Sequence, residues 1–170
     1  MKAIKLNSKR YEPYLNLGIT LRSLGQFIQS EFHLKTAYEL NPLNYDNCHE
    51  LALTLFALDK YKEAEIFFRK SIKINPNVSI CYSNLGHLFF KIGKYDEAES
   101  FLKKAIGLNK ECYLSYKILG SLYIDFGDLI QAENLLRTAI KINPNHSKSH
   151  LCLSNLLISQ RKFTEAEVYL

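Results

Sequence analysis

The sequence has no long hydrophobic run. Its start, MKAIKLNSKRY, lacks the apolar stretch of a signal peptide, and no later stretch approaches a membrane span. Cysteine is sparse: Cys48, Cys81, Cys112 and Cys152 are scattered, with no CxxC pair and no metal-ligand spacing. That pattern reads as free, buried or half-buried thiols in a reducing compartment, so a cytoplasmic location is expected. The four prolines and seven glycines recur at fixed places instead of clustering in linkers. Charge of one sign is not strongly in excess. A formal net charge of +5 permits weak attraction to acidic partners but is far from a nucleic-acid-binding balance. A hydrophobic share of 47% with 23% charged residues is ordinary for a folded domain.

What the chain does have is self-similarity at one spacing. Shifted by 34 residues in either direction, Ser79–Cys112 meets a version of itself. Pro42 and Pro76 are 34 apart and Pro144 lies two further periods on, with Lys110 in the slot between. An asparagine precedes each slot, at Asn41, Asn75, Asn109 and Asn143, and by the same count at Asn7. The units are therefore 11–44, 45–78, 79–112 and 113–146, with a partial fifth at 147–170. Residues 1–10 read as the tail of a preceding unit, and the whole as one continuous array.

Each unit carries two helical patterns. In Ser79–Cys112, Tyr82, Leu85, Leu88, Phe89 and Ile92 recur at three- and four-residue steps, and Gly93 interrupts. Ala98, Phe101, Leu102, Ala105 and Ile106 then share one face of a second helix. Asp96 and Glu97 in its first turn and Lys103 and Lys104 further on complement the helix dipole. Asn109 is expected to close that helix in the left-handed cap conformation. Elsewhere a following proline blocks continuation. With Lys110 in that slot, this second helix is expected to run on further than its counterparts. Gly25, Gly93 and Gly127 mark the turn between helices, whereas Asp59 and Arg161 occupy the same slot and predict strained or differently shaped turns. A second small column, Gly18, Ala52, Gly86, Gly120 and Ser154, falls mid-helix, where glycine costs about 1 kcal/mol against alanine. It implies close approach of a neighbouring helix, and Ser30, Ala64, Ala98, Ala132 and Ala166 are the expected matching surface. Ala3–Asn7 copies the tail of a second helix, Leu170 falls halfway along one, and no polar capping helix follows. The chain therefore reads as a fragment of a longer one.

These columns resemble the tetratricopeptide repeat, whose signature is an aromatic, Leu-Gly, Tyr, Ala, an aromatic and Pro on a 34-residue period. Tyr82, Leu85, Gly86, Phe89, Ala98, Leu102 and Ala105 match it, as do Tyr116, Leu119, Gly120, Tyr123, Ala132, Leu136, Ala139 and Pro144. Tyr14, Leu17, Gly18, Leu21, Leu34, Ala37 and Pro42 match in the first unit, which departs at Ser30. The second is weaker, with Cys48 for the aromatic and Ala52 for the glycine. The resemblance covers nearly the whole chain. It implies an all-α fold, a right-handed α-α superhelix of antiparallel helix pairs whose first helices line a concave groove.

Chemistry-bearing motifs are nearly missing. His49-Glu50 begins like a zinc-protease motif, but Leu53 stands where the second ligand is needed. His146 and His150 are four apart, with His146 in the turn before a helix, which argues against a shared metal. The glycines lack phosphate-binding spacing. Carboxylates two apart, such as Glu97 and Glu99, do not face one site on a helix. No catalytic residue, metal or cofactor is expected. Lys62, Lys70, Lys73, Lys103 and Lys104 alternate with acids on outer helices, which argues against a nucleic-acid partner.

Binding is the expected activity. By helix phase and the geometry that the resemblance implies, the groove candidates are Asn16 and Arg22, then His49 and Phe56, then Asn84, His87, Phe90 and Lys91, then Lys117 and Asp125. Ser83 and Ile118 fall on the same expected lining. Phe56 and Phe90 occupy one column in adjacent units, and either anchor an apolar side chain of a bound peptide or pack against the neighbouring first helix. The carboxylate clamp of chaperone-binding relatives is met only by Lys117, with Ser121 and Cys152 where asparagines are required. The asparagine ladder of sugar-transferase relatives is met by Asn16 and Asn84 and interrupted by Glu50, Ile118 and Cys152. The expected function is a non-catalytic scaffold binding a peptide or protein segment in the groove. The alternative is the recognition arm of a larger glycosyl-, methyl- or sulfotransferase. End-to-end self-association through the array ends is a third reading.

Overall fold

In the computed structural model, residues 10–169 are described; the copied helix tail at Ala3–Asn7 and Leu170 lie outside them. All regular structure among these residues is helical. Helices pair in sequence as α1 Glu12–Ser23 with α2 Phe27–Leu40, α3 Tyr45–Ala57 with α4 Tyr61–Ile74, α5 Ser79–Lys91 with α6 Tyr95–Leu108, and α7 Tyr113–Asp125 with α8 Leu129–Ile142. Helix α9, Ser147–Ser159, is followed by the short α10, Phe163–Ala166, and a 3-10 turn at Glu167–Tyr169. The chain packs as two compact units, one ending at Asn84 and one beginning at Leu85, so the boundary falls inside α5.

The turn within each pair has one shape throughout. Gly25, Gly93 and Gly127 have φ of 75°, 77° and 80°, and Asp59 and Arg161 adopt the same left-handed region at 57° and 60°. Strain, not a different shape, is therefore what the two substitutions bring. The common bond explains why. Gln26, Lys60, Lys94 and Lys162 each donate a backbone N–H to the carbonyl five residues back, at Leu21, Leu55, Phe89 and Leu157, at 2.9 Å. At Asp59 the Tyr61 hydroxyl also donates to Oδ1 at 2.5 Å.

The mid-helix glycines do face a close neighbour, but it is a leucine and not the small column. A Cβ at Gly18 would lie 2.5 Å from Leu34 Cγ, and one at Gly86 or Gly120 would lie 2.7 Å from Leu102 or Leu136 Cγ. The small residues one turn earlier contribute backbone: the Ala98 carbonyl oxygen would stand 3.2 Å from the Gly86 Cβ. Ser30 departs from alanine for a reason. Its hydroxyl donates to the Gly18 carbonyl at 2.7 Å and accepts from Thr54 Oγ1 at 3.1 Å, tying α1, α2 and α3 together in the interior.

The helix before Lys110 does not run on. Helix α6 has 14 residues, as do α2, α4 and α8, although only the other three precede a proline. Asn109 stops it with an extended backbone, φ −146° and ψ 108°, not the left-handed cap expected of it. Its Oδ1 accepts the Glu111 N–H at 2.9 Å, a local turn that competes with the next helical bond. Asn75 and Asn143 make the same bond to Asn77 and Asn145. At Asn109 the helix thus ends at the same length without a following proline.

Leu34, Leu51, Leu55 and Phe68 are fully buried in the first unit. In the second, Ala132, Leu136, Leu153, Leu156, Leu157 and Ala166 form one cluster, and Leu102, Ile118 and Leu119 another. Burial of large apolar side chains such as these contributes about 1.5–3 kcal/mol each.

Candidate functional site

In the first unit, α1 and α3 carry the candidates. Arg22 stands in the last turn of α1, where its charge suits the helix C-terminus, and its Nη2 pairs with Glu50 on α3 at 2.5 Å. Asn16 is exposed. His49 is not a surface group: only 6% of it is exposed, and its ring meets Phe68 edge-on at 5.7 Å. Its Nε2 faces the amide nitrogen of Asn84, itself 8% exposed, at 3.2 Å. An amide nitrogen only donates, so Nε2 accepts and the proton sits on Nδ1, which is buried without a partner. Burial, and then the Arg22 charge, push the His49 pKa down to about 4. The groove role expected for His49 and Asn84 is thus corrected: the two are interior and bond to each other.

Glu31 was not among the sequence candidates, yet it holds the most connected ion pair of this unit. Lys35 and Lys60 reach it at 2.6 and 2.7 Å. Burial raises its pKa, but the two ammonium groups outweigh that and hold its carboxyl below the ordinary range. The available signal was a column: a glutamate follows the small residue of the second helix at Glu31, Glu65, Glu99, Glu133 and Glu167. Its partner Lys60 lies 29 residues away, and Glu133 meets Lys162 across the same interval.

Phe56 and Phe90 are half-buried, each against the tyrosine that opens the next helix: Phe56 on Tyr61 at 5.7 Å, Phe90 on Tyr95 at 6.0 Å. Phe90 also packs on the cluster of Leu102, Ile118 and Leu119. The fold's core therefore does use Phe90, and Ser83 and Ile118, expected on the lining, are interior.

In the second unit, His87 is half-buried on α5, with Lys91 exposed one turn on. Lys117 on α7 is half-buried, and Lys148 on α9 and Asp125 at the end of α7 are exposed. Burial, then the charges of Lys117, Lys91 and Lys148, push the His87 pKa down to about 4. Lys117 and Lys148 also act on His146, lowering it after burial does. The clamp positions are turned inward on each other: Ser121 Oγ donates to the Lys117 carbonyl at 3.2 Å and lies 4.0 Å from Cys152 Sγ. His146 and His150 have separate partners, Ser149 Oγ at 2.8 Å and the Pro144 carbonyl at 2.7 Å. Among the described residues no three His, Cys, Asp or Glu side chains gather as metal ligands, and no helix is long and apolar enough to cross a membrane. A cavity of about 460 Å³ beside the first turn of α9 is lined by Lys148, His150, Leu151, Val168 and Tyr169, among others.

Family models described as tetratricopeptide repeat match residues 47–111 and, separately, residues 11–42 and 115–146. The chain belongs to the tetratricopeptide repeat family. No curated protein sequence matches it. Among solved structures, a thermophilic repeat protein of this family from Thermus thermophilus is similar with a TM-score of 0.86 at 21% identity, over 94% of this chain and 88% of that one. Pseudomonas aeruginosa pilF is similar at 0.82 and 23% identity, over 94% and 72%. YrrB, described as a TPR protein with an unusual peptide-binding site, is similar at 0.67 and 20% identity, over 99% and 87%. At these identities the likeness shows the fold.

Proposed function

We propose that this chain is a non-catalytic interaction module that takes a peptide or protein segment along its first helices. Family membership supports the class, since such arrays serve typically as protein-interaction scaffolds. The observation that carries the reading is the make-up of the first helices in the second unit. They present Lys91, Lys117 and Asp125, outside any ion pair among the described residues, beside Leu151, which is 56% exposed. Such a mixed polar and apolar face is what a segment-binding surface requires.

The test is a displayed peptide library panned against the full chain. Captured peptides are expected to lose affinity for a variant combining Lys91→Ala, Lys117→Ala and Asp125→Ala, with helicity unchanged by circular dichroism. Failure to capture any peptide, or capture indifferent to that variant, would remove the reading.

A further inference from the structure

The ends of the second helices carry a recess that recurs with the repeat and changes in chemistry. In the first unit, Tyr38 on α2, Pro42 and Leu43 in the turn that follows, and Lys70, Lys73 and Ile74 on α4 line a cavity of about 470 Å³. Two periods on, inside the second unit, Lys110, Glu111, Thr138, Lys141 and Ile142 line another of about 470 Å³. The helix ends make the recess, and the side chains decide what it offers. Pro42 gives way to Lys110, Leu43 to Glu111 and Lys70 to Thr138. The second recess thus holds a carboxylate, Glu111, among its cations. No carboxylate lines the first, and Glu39, next to Tyr38 in sequence, is exposed and outside the lining. Neither Lys70 nor Lys73 is in an ion pair among the described residues.

Lys70 is held in place without being neutralised. Its Nζ donates to the Tyr38 hydroxyl at 2.9 Å. It lies 5.0 Å from the Tyr38 ring centroid and 4.9 Å from that of Phe67, two rings that meet edge-on at 5.1 Å. Ring faces attract an ammonium group but leave its formal charge in place. Of its three donors, one goes to Tyr38. The apolar side of the recess is equally unsatisfied: Leu43, in the turn, is 79% exposed. A fixed cation and an open leucine therefore share one cavity, while the copy in the second unit has a hydroxyl and a carboxylate in those two places.

We propose that the first recess is a separate docking site, on the second helices, for a protein segment that carries an apolar side chain next to a carboxylate. The apolar side chain packs on Pro42, Leu43 and Ile74. The carboxylate meets Lys70 and Lys73, which are three apart on α4 and so share a face. Charge complementarity selects an acid, because every charged group in the lining is cationic. Size selects a side chain: Lys70 and Ile74 stand one helical turn apart, about 6 Å, too short a wall for an acyl chain. The site shares no residue with the first-helix reading above and does not rest on it.

The experiment follows backbone amide signals of the isotope-labelled full chain by nuclear magnetic resonance. The probe is a short peptide, blocked at both ends, with one Leu between two Glu residues, beside counterparts carrying Gln for Glu or Ala for Leu. Shifts are expected at residues 38–44 and 70–74. The Glu-Leu-Glu peptide is expected to bind about three- to tenfold more tightly than either counterpart, with the advantage over Gln shrinking in salt. Combined Lys70→Met and Lys73→Met is expected to erase the preference for Glu and keep the preference for Leu. Leu43→Glu with Lys70→Thr copies the second recess and is expected to erase both, while the remaining amide signals report an unchanged fold. The first-helix variant of Lys91, Lys117 and Asp125 is expected to leave these shifts as they are, so failure here and failure of that reading are told apart. No shift in the recess, equal binding of either counterpart, or undiminished binding by the Leu43→Glu, Lys70→Thr variant would overturn the proposal. So would equal shifts from octanoate, which would make this a site for small amphiphiles, or the same shifts on concentrating the chain alone, which would make the occupant a second copy.

Discussion

Asn84 Nδ2 donates to His49 Nε2 at 3.2 Å, joining α5 to α3 through two side chains that are both more than nine-tenths buried. The bond fixes His49 as a neutral ring with its proton on Nδ1. Protonating Nε2 would put two donors face to face in a dry interior.

Stability should therefore fall with acid before the carboxylates titrate. The folded pKa of His49, about 4, lies below its ordinary 6.5. Between those values the unfolded chain binds the proton and the folded chain does not. The contribution of the neutral ring is complete above about pH 6.5 and is lost as pH falls toward about 4, up to about 3 kcal/mol. His87, lowered to the same range, adds a loss of the same sign. Urea titrations at successive pH values check this: His49→Gln should flatten the slope in that window. An unchanged slope would mean that the ring is not buried as described.

Gly86→Ala should destabilise the fold despite alanine's better helix propensity. The new methyl would sit 2.7 Å from Leu102 Cγ and 3.2 Å from the Ala98 carbonyl oxygen, and the latter is backbone. The expected net loss is about 1–3 kcal/mol. A double variant, Gly86→Ala with Leu102→Ala, should lose less than the two single losses added, because the methyl then fills part of the space. Thermal unfolding of the four proteins measures both.

The two non-glycine turns offer a paired comparison. Arg161→Gly relieves a left-handed backbone at φ 60° and should stabilise by about 0.5–1 kcal/mol. Asp59→Gly relieves the same strain but removes the acceptor of the Tyr61 hydroxyl, so its gain should be smaller or nil. A larger gain at Asp59 than at Arg161 would contradict this account.

Lys110→Pro should be tolerated or mildly stabilising, by about 0.4–1 kcal/mol, because the preceding residue is already extended and α6 has already ended. Asn109→Ala should cost about 1 kcal/mol by removing the acceptor for the Glu111 N–H. Chemical denaturation of the two variants separates the roles of the two positions.

Much of the fold was legible because a repeat states its own pattern several times. The period of 34, the helix pairs and the turn glycines follow from columns that recur, and backbone chemistry answers each column the same way. Asn109 shows where column reading fails. Proline is the conspicuous member of its pair, yet the asparagine carries the stop through its own side chain. Of the site candidates, those exposed in the structure, such as Asn16, Lys91 and Asp125, follow from helix phase alone. His49 and Asn84 do not, since helix phase gives a residue's direction and not what stands in that direction.

By itself, the sequence determined the class of this protein: an all-α array of helix pairs in the tetratricopeptide repeat family, with polar and apolar residues mixed along its first helices. Local rules sufficed there, because helix period, turn glycines and asparagine stops act within a few residues. Tertiary structure alone decided which charges are satisfied and which are left over. Glu31 finds Lys60 29 residues away and Arg22 finds Glu50 28 away, while Lys91, Lys117 and Lys148 stand in no ion pair among the described residues. Coulomb energy depends on distance in space, and separation along the chain does not measure it.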